Sequence, residues 1–213
     1  MACWRKVGVI AVLAVIPVWT TTADAASCDG SKTIFEDEFR DDSGGWPIVP
    51  EYIRVEDGSL VVTAPAQKME KAINVTNSVK SGDICVEVAF KNMPISPAGS
   101  AGLLFWVRGP NDYYTLQVSP RGAVGIFRFK EQWLPLRPML EDSSVNKGQD
   151  AVNNLRVKAD GNLVTLFVNG AKIREVRGDP PAPDWQFGVY TAATNEKLGT
   201  SSFRHFKVTS TDD

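Results

Sequence analysis

Hydrophobic and polar residues alternate in short runs along most of this chain. In 83–90, Ile84, Val86, Val88 and Phe90 share one face while Cys85, Glu87 and Ala89 share the other, the period-two signature of a half-buried strand. Comparable runs occupy 33–39, 59–63, 71–76, 103–108, 113–119, 123–129, 154–158, 163–168, 172–176, 186–191 and 202–208. Turn residues separate them. Asn169-Gly170 between 163–168 and 172–176 is a strong hairpin signal, and Asp57-Gly58 and Asp160-Gly161 mark further turns. Gly109-Pro110-Asn111-Asp112 joins 103–108 to 113–119 as a hairpin. No helical period longer than about two turns follows residue 25, so the pattern predicts an all-β domain of two packed antiparallel sheets over 26–213. The stretch 135–152, with Pro138, paired serines and Gly148, reads as a surface loop.

The first 25 residues differ from the rest. Arg5 and Lys6 precede an apolar run from Val7 to Trp19, and Ala23-Asp24-Ala25 places small residues where a signal peptidase reads them. The run falls short of the about 20 residues that a spanning helix needs and contains Pro17. Cleavage near Ala25 is therefore predicted, giving a periplasmic or secreted chain without a membrane span. Of three cysteines, Cys3 leaves with the signal; Cys28 and Cys85 remain and are expected to pair in an oxidising compartment. The alternative is two isolated thiols. Net charge is −2, which leaves no basic footprint for a nucleic acid.

The order of several motifs resembles the concanavalin A-like (laminin-G-like) jelly rolls. These motifs are Phe35-Glu36-Asp37-Glu38-Phe39, Gly45-Trp46, Val55-Glu56-Asp57-Gly58-Ser59-Leu60, Ala101-Gly102-Leu103-Leu104-Phe105, Asn111 to Val118, Asn154-Leu155-Arg156-Val157 and Leu166 to Gly170. Among bacterial members the chain is most similar to the 3-keto-disaccharide hydrolase-type sandwiches and to sugar-binding modules without catalysis. The resemblance implies a jelly-roll β-sandwich and a sugar-related role. Relatives often hold calcium where the first and last strands meet, with an aspartate in the last strand; Arg204 stands there in this chain. That change predicts an Asp37–Arg204 ion pair and no metal at that place. The alternative is that both side chains turn to solvent at a sheet edge.

Candidate chemistry is sparse. The glucanase branch carries a Glu-x-Asp-x-Glu strand, because retaining hydrolysis needs two carboxyl groups about 5–5.5 Å apart. Here Glu36 and Glu38 alternate with Asp37 between them, the third carboxylate is missing, and Glu87 stands alone. No serine lies in a nucleophile elbow; Ala98-Gly99-Ser100-Ala101-Gly102 has the wrong spacing. The single histidine, His205, is expected to face outward without an orienting carboxylate, and with two bonded cysteines it cannot furnish a zinc site. No cofactor is expected, and no catalytic residue is assigned.

Binding residues are easier to nominate. Sugar sites combine aromatic faces with planar polar groups. If Phe105 and Val107 face the core, Trp106 and Arg108 face out; if Tyr114, Leu116 and Val118 face in, Tyr113, Thr115 and Gln117 face out. Hairpin pairing then gathers Trp106, Arg108, Tyr113 and Gln117 on one surface, with Trp133 nearby in sequence. Alternatively Trp106 packs beneath a loop. The orientation of Arg128 stays open, since 123–129 is apolar on both faces. The leading reading is an exported, monomeric, non-catalytic module that binds a glycan or cell-envelope component. A hydrolase of a 3-keto-disaccharide, implied by the resemblance, and a structural module that meets an envelope protein are the alternatives.

Overall fold

The computed structural model describes residues 28–93, 95, 99–193 and 197–211; the expected signal sequence lies outside them. The alternating runs become fourteen strands, and no helix occurs among the described residues. In chain order these are β1 (Thr33–Asp37), β2 (Ile53–Glu56), β3 (Ser59–Ala64), β4 (Lys68–Ile73), β5 (Gly82–Asn92), β6 (Gly99–Gly109) and β7 (Asp112–Val118). They continue with β8 (Ala123–Lys130), β9 (Gln132–Glu141), β10 (Val152–Asp160), β11 (Leu163–Val168), β12 (Ala171–Arg177), β13 (Gln186–Ala193) and β14 (Gly199–Thr209). One antiparallel sheet runs β12-β11-β10-β5-β14-β3-β2, and the other runs β4-β13-β6-β7-β8-β9. β1 joins the first sheet by pairing with the second half of β14, while β3 pairs with the first half. The first and last strands therefore close the sandwich side by side.

The core lies between the sheets. Ile84, Val86, Val88 and Phe90 of β5 and Leu155 and Val157 of β10 meet Leu103 and Phe105 of β6, Leu116 and Val118 of β7, and Phe187 and Val189 of β13. Each such fully buried side chain stabilises the fold by about 1.5–3 kcal/mol. Beside β1, Phe187 stacks on Phe206 at 5.4 Å and Trp46 meets Phe206 edge-on at 5.0 Å. The expected turns follow the chemistry of their residues. Asn169 and Gly170 take φ of 49° and 80°, and Asp57 and Gly58 take 50° and 66°, the two left-handed positions that a type I′ hairpin requires.

One expectation about secondary structure fails, and one strand was not predicted. The stretch 135–152 is not wholly loop, because its first residues belong to β9, which pairs with β8 (Phe127 opposite Pro135). β9 is an edge strand, the one setting in which Pro135 and Pro138 can sit in a sheet without breaking a ladder on both sides. β2 is a four-residue edge strand too short to show an alternation.

The Asp37–Arg204 pair does not form. Asp37 accepts the Phe39 N–H at 2.7 Å and the Trp46 indole N–H at 2.8 Å, whereas Arg204 Nε donates to Ser59 Oγ at 2.7 Å. The cause is a bulge in β14: the register shifts between Arg204 and Lys207, and His205 has a φ of 50°. Phe203 and Phe206 thus both reach the core. An unbroken strand would have placed Arg204 and Phe206 on one face; the extra residue separates them.

Cys85 points away from the core, as its alternation requires, and is disulfide-bonded to Cys28. Next to it, the fully buried Asp83 accepts from Arg156 Nε at 2.8 Å and Nη2 at 2.6 Å, and from the Asp29 N–H at 3.0 Å. Arg156 Nη2 also reaches Asp29 Oδ2 at 2.6 Å. A covalent bond and an ion triad thereby clamp the N-terminal segment across the outer face of the larger sheet. Cys28, Asp83 and Cys85 lie close together, but bonded sulfurs are not thiolate ligands and Asp83 is occupied by Arg156.

Asn74 opens an Asn-Val-Thr sequon, yet it is fully buried. Its amide donates to the Gly44 carbonyl at 2.8 Å, and its carbonyl accepts from the Asn77 N–H at 3.1 Å and Asn77 Nδ2 at 3.0 Å. A glycan cannot be accommodated on that nitrogen in the folded chain. Asn74→Ala leaves these groups unpaired, so a loss on the order of 2 kcal/mol is expected. Urea unfolding of the variant measures it; a change within 0.5 kcal/mol, roughly the range of an ordinary surface substitution, would show the network to be dispensable.

Candidate functional site

The six-stranded sheet has a second apolar face, turned away from the core. Leu104 and Val107 of β6, Tyr113 of β7, and Tyr190 and Ala192 of β13 form a separate buried cluster there, flanked by Met69, Ile73 and Phe129. Cross-strand pairing explains the layout. Tyr190 stands opposite Lys71 on one side and Gly102 on the other, Gly102 opposite Gln117, and Gln117 opposite Gly125. Gly102 contributes no side chain between Tyr190 and Gln117, and a β-carbon there would collide with the Leu116 carbonyl. The gap opens into a groove of about 360 Å³ whose lining includes Met69, Ser100, Gln117, Phe127, Trp133 and Tyr190. That volume lies at the lower end of the range for small-molecule sites, roughly 300–1,000 Å³.

Trp133 forms the aromatic wall. It is 41 % exposed and is held edge-on against Tyr113 at 6.1 Å and Phe127 at 5.9 Å. Tyr113 in turn stacks on Phe129 at 5.3 Å. Gln117 donates from Nε2 to Thr115 Oγ1 at 2.8 Å, which orients the amide and leaves its oxygen free to accept from a ligand. The Tyr190 hydroxyl lies 3.4 Å from Ser100 Oγ. Burial pushes both phenols above their usual range, so both stay neutral hydrogen-bonding groups. Lys71 sits with Nζ 4.9 Å from the Tyr113 ring centroid and donates to the Pro110 carbonyl at 2.7 Å. Burial lowers its ammonium below the usual lysine range, with the nearby Glu70 charge opposing.

The structure sorts the residues nominated from sequence into two groups. Tyr113, Gln117 and Trp133 share this outer face; Trp106 and Arg108 do not. Trp106 is buried in the main core, 5.1 Å from Tyr114 and edge-on to it, and a side chain at Gly178 would overlap its ring. Its φ of 47° marks a bulge: the β6–β7 register slips between Phe105 and Gly109. Phe105 and Trp106 consequently both point inward, and Val107 takes the outer place that strict alternation assigns to Trp106. Arg108 then binds Asp112, Asp179 and the Pro180 carbonyl at the sheet end. Arg128 also faces inward, its guanidinium 5.1 Å from the Tyr114 ring centroid.

Sequence reasoning missed Tyr190, Ser100 and Lys71. Tyr190 lies on the outward alternation of 186–191, which was a usable signal; its neighbourhood with β6 was not. His205, expected to lack an orienting carboxylate, has one: Glu38 Oε2 lies 2.7 Å from Nδ1. The pair is exposed, at the β1–β14 edge of the other sheet.

Comparison with solved structures shows the same sandwich. The chain is similar to the carbohydrate binding module CBM66 from Bacillus subtilis at 12 % identity, over 84 % of this chain and 98 % of that chain, with a TM-score of 0.57. It is similar to the catalytic domain of an endo-1,3-beta-glucanase (laminarinase) from Thermotoga petrophila RKU-1 at 12 % identity, over 85 % and 98 %, with a TM-score of 0.61. The metal-free carbohydrate recognition domain of Emp46p gives 11 % identity over 78 % and 88 %, with a TM-score of 0.58. These likenesses are of fold, the concanavalin A-like sandwich. Comparison with curated proteins gives no match. The 3-keto-alpha-glucoside-1,2-lyase-like domain model matches residues 19–209, and this chain belongs to that family.

Proposed function

We propose that the domain is an exported, non-catalytic module that binds carbohydrate in the groove on the outer face of the six-stranded sheet. The observation that carries this reading is Trp133, an exposed indole held upright by Phe127, Phe129 and Tyr113 beside the free oxygen of Gln117. An aromatic face accepts the C–H-rich side of a sugar ring, and oriented polar groups read its hydroxyls. The shared fold of the CBM66 carbohydrate binding module and the Emp46p carbohydrate recognition domain supports the same reading. Among the described residues lining the groove there is no carboxylate, so paired-carboxylate hydrolysis has no support there. The disulfide supports export, since such bonds persist in oxidising compartments.

The test is binding of the purified chain to a glycan panel, followed by calorimetry of the hits. Trp133→Ala is expected to weaken binding more than tenfold, about 1.4 kcal/mol, with little change in melting temperature because the indole is already partly exposed. Unchanged affinity in that variant would remove the groove from the reading. The family match favours a second reading, elimination on a 3-keto-α-glucoside. That chemistry needs a base for the C–H beside the ketone. Release of the aglycone from such a substrate by the wild-type chain would establish it.

A further inference from the structure

The groove face carries positive charge without a matching acid. Lys68 lines the groove, and Lys71 lies on the same sheet face, opposite Tyr190 across the β4–β13 pairing. Lys71 is half-buried and makes a single hydrogen bond, to a neutral carbonyl. No carboxylate approaches it within ion-pair distance among the described residues. Glu70 is its neighbour in sequence, but alternation turns Glu70 toward the side of Ala72, which is in the core. Lys71 Nζ lies over the ring of the fully buried Tyr113, whose hydroxyl has no hydrogen-bond partner. A half-buried ammonium with no carboxylate in ion-pair contact is costly to maintain, since the Glu70 charge offsets only part of its burial, and a buried hydroxyl without a partner is costly as well. The first of these costs falls if an anion arrives with the ligand.

Resting on the carbohydrate-binding reading, we infer that the sugar this groove takes is anionic, with its carboxylate or sulfate ester placed on Lys71. A charged group at Lys71 supplies the missing acceptor for two of the ammonium hydrogens. Lys71 is next to Tyr190 on β13, two strands from Gly102 and three from Gln117, so a ring bearing the charge occupies the gap beside Tyr190 and the rest of an oligosaccharide extends toward the Trp133 wall. Lys68 adds longer-range attraction at the rim. Neutral sugars would leave Lys71 uncompensated and lose this term.

Calorimetry of the full chain with oligogalacturonate, a sulfated galactan oligosaccharide and a neutral galactan oligosaccharide of equal length tests the inference. The expected result is binding of an anionic ligand at least tenfold tighter than the neutral one, weakening as salt rises. Lys71→Met should abolish that preference, while Lys71→Arg should retain most of it. Melting curves of both variants check that they fold; if Lys71→Met does not, the salt dependence and the arginine variant still decide. Preference for the sulfated over the uronate oligosaccharide would assign the anion to sulfate, and the reverse to carboxylate. Equal binding of neutral and anionic ligands, sensitive to Trp133→Ala but not to Lys71→Met, would overturn the inference and leave the carbohydrate-binding reading standing. No binding of any of the three, alongside a negative glycan panel, would overturn both.

Discussion

Arg156→Met is expected to destabilise the domain by about 3–5 kcal/mol, the cost of leaving a buried charge without its partner. Asp83 is fully buried, and Arg156 supplies three of its contacts through Nε and Nη2. The Asp29 N–H remains as a single donor, too little to replace a guanidinium. The same arginine ties down Asp29, next to the disulfide. The substitution therefore loosens the N-terminal segment while leaving Cys28–Cys85 closed. For a chain of this length each kcal/mol moves Tm by roughly 2–4 °C, so differential scanning calorimetry reads the effect directly. Replacing Asp83 by Leu in the same chain should recover part of the loss, because an apolar pair in place of a buried ion pair is often close to neutral. A single-variant loss below about 1 kcal/mol, the ceiling for most surface pairs, would show that the carboxylate is hydrated and not truly buried.

The second large effect separates the two tryptophans. Trp106→Ala empties a large fully buried site between Phe105, Tyr114 and Gly178, with an expected loss of about 3–5 kcal/mol. On the proposed binding function, sugar affinity measured well below the melting temperature should stay within about twofold of wild type, because Trp106 faces the core and not the groove. Trp106→Gly provides an internal control. Its backbone sits at a φ of 47°, where glycine is unstrained and alanine is not, a difference of about 1 kcal/mol. The glycine variant should therefore be the more stable of the two despite losing more side chain. An order of stability with alanine above glycine would mean that the bulge relaxes once the indole is gone. Loss of sugar binding in a folded Trp106 variant would return this residue to the site, and would contradict its burial.

The period-two alternation is local physics: a strand with one face in a core must place apolar side chains on every second residue, and that requirement is written in consecutive positions. It was enough to determine the all-β class, the two-sheet sandwich, the inward set on β5 and β7, the I′ hairpin at Asn169-Gly170, and the outward placement of Cys85, Tyr113 and Gln117. Bulges break the inference because they depend on partners distant in sequence. Phe105 and Trp106 read as alternating neighbours until β7 and β13 pair with β6 out of step. Arg204 and Phe206 read as sharing a face until β14 slips against β5. Each slip costs one wrong face, which is how Trp106, Arg108 and the Asp37–Arg204 pair were misplaced. Pro135 and Pro138 argued for a loop because a proline cannot serve two ladders, and only the sheet order shows that β9 has one neighbour. The groove was likewise invisible along the chain. Tyr190 and Lys71 lie 119 residues apart in the chain, and they share a face with Gln117 and Trp133 only because β4 pairs with β13 and β13 with β6. Away from the bulges, the sequence determined which residues each strand turns outward; the pairing of strands far apart in the chain decided where the bulges fall and which outward residues share a site.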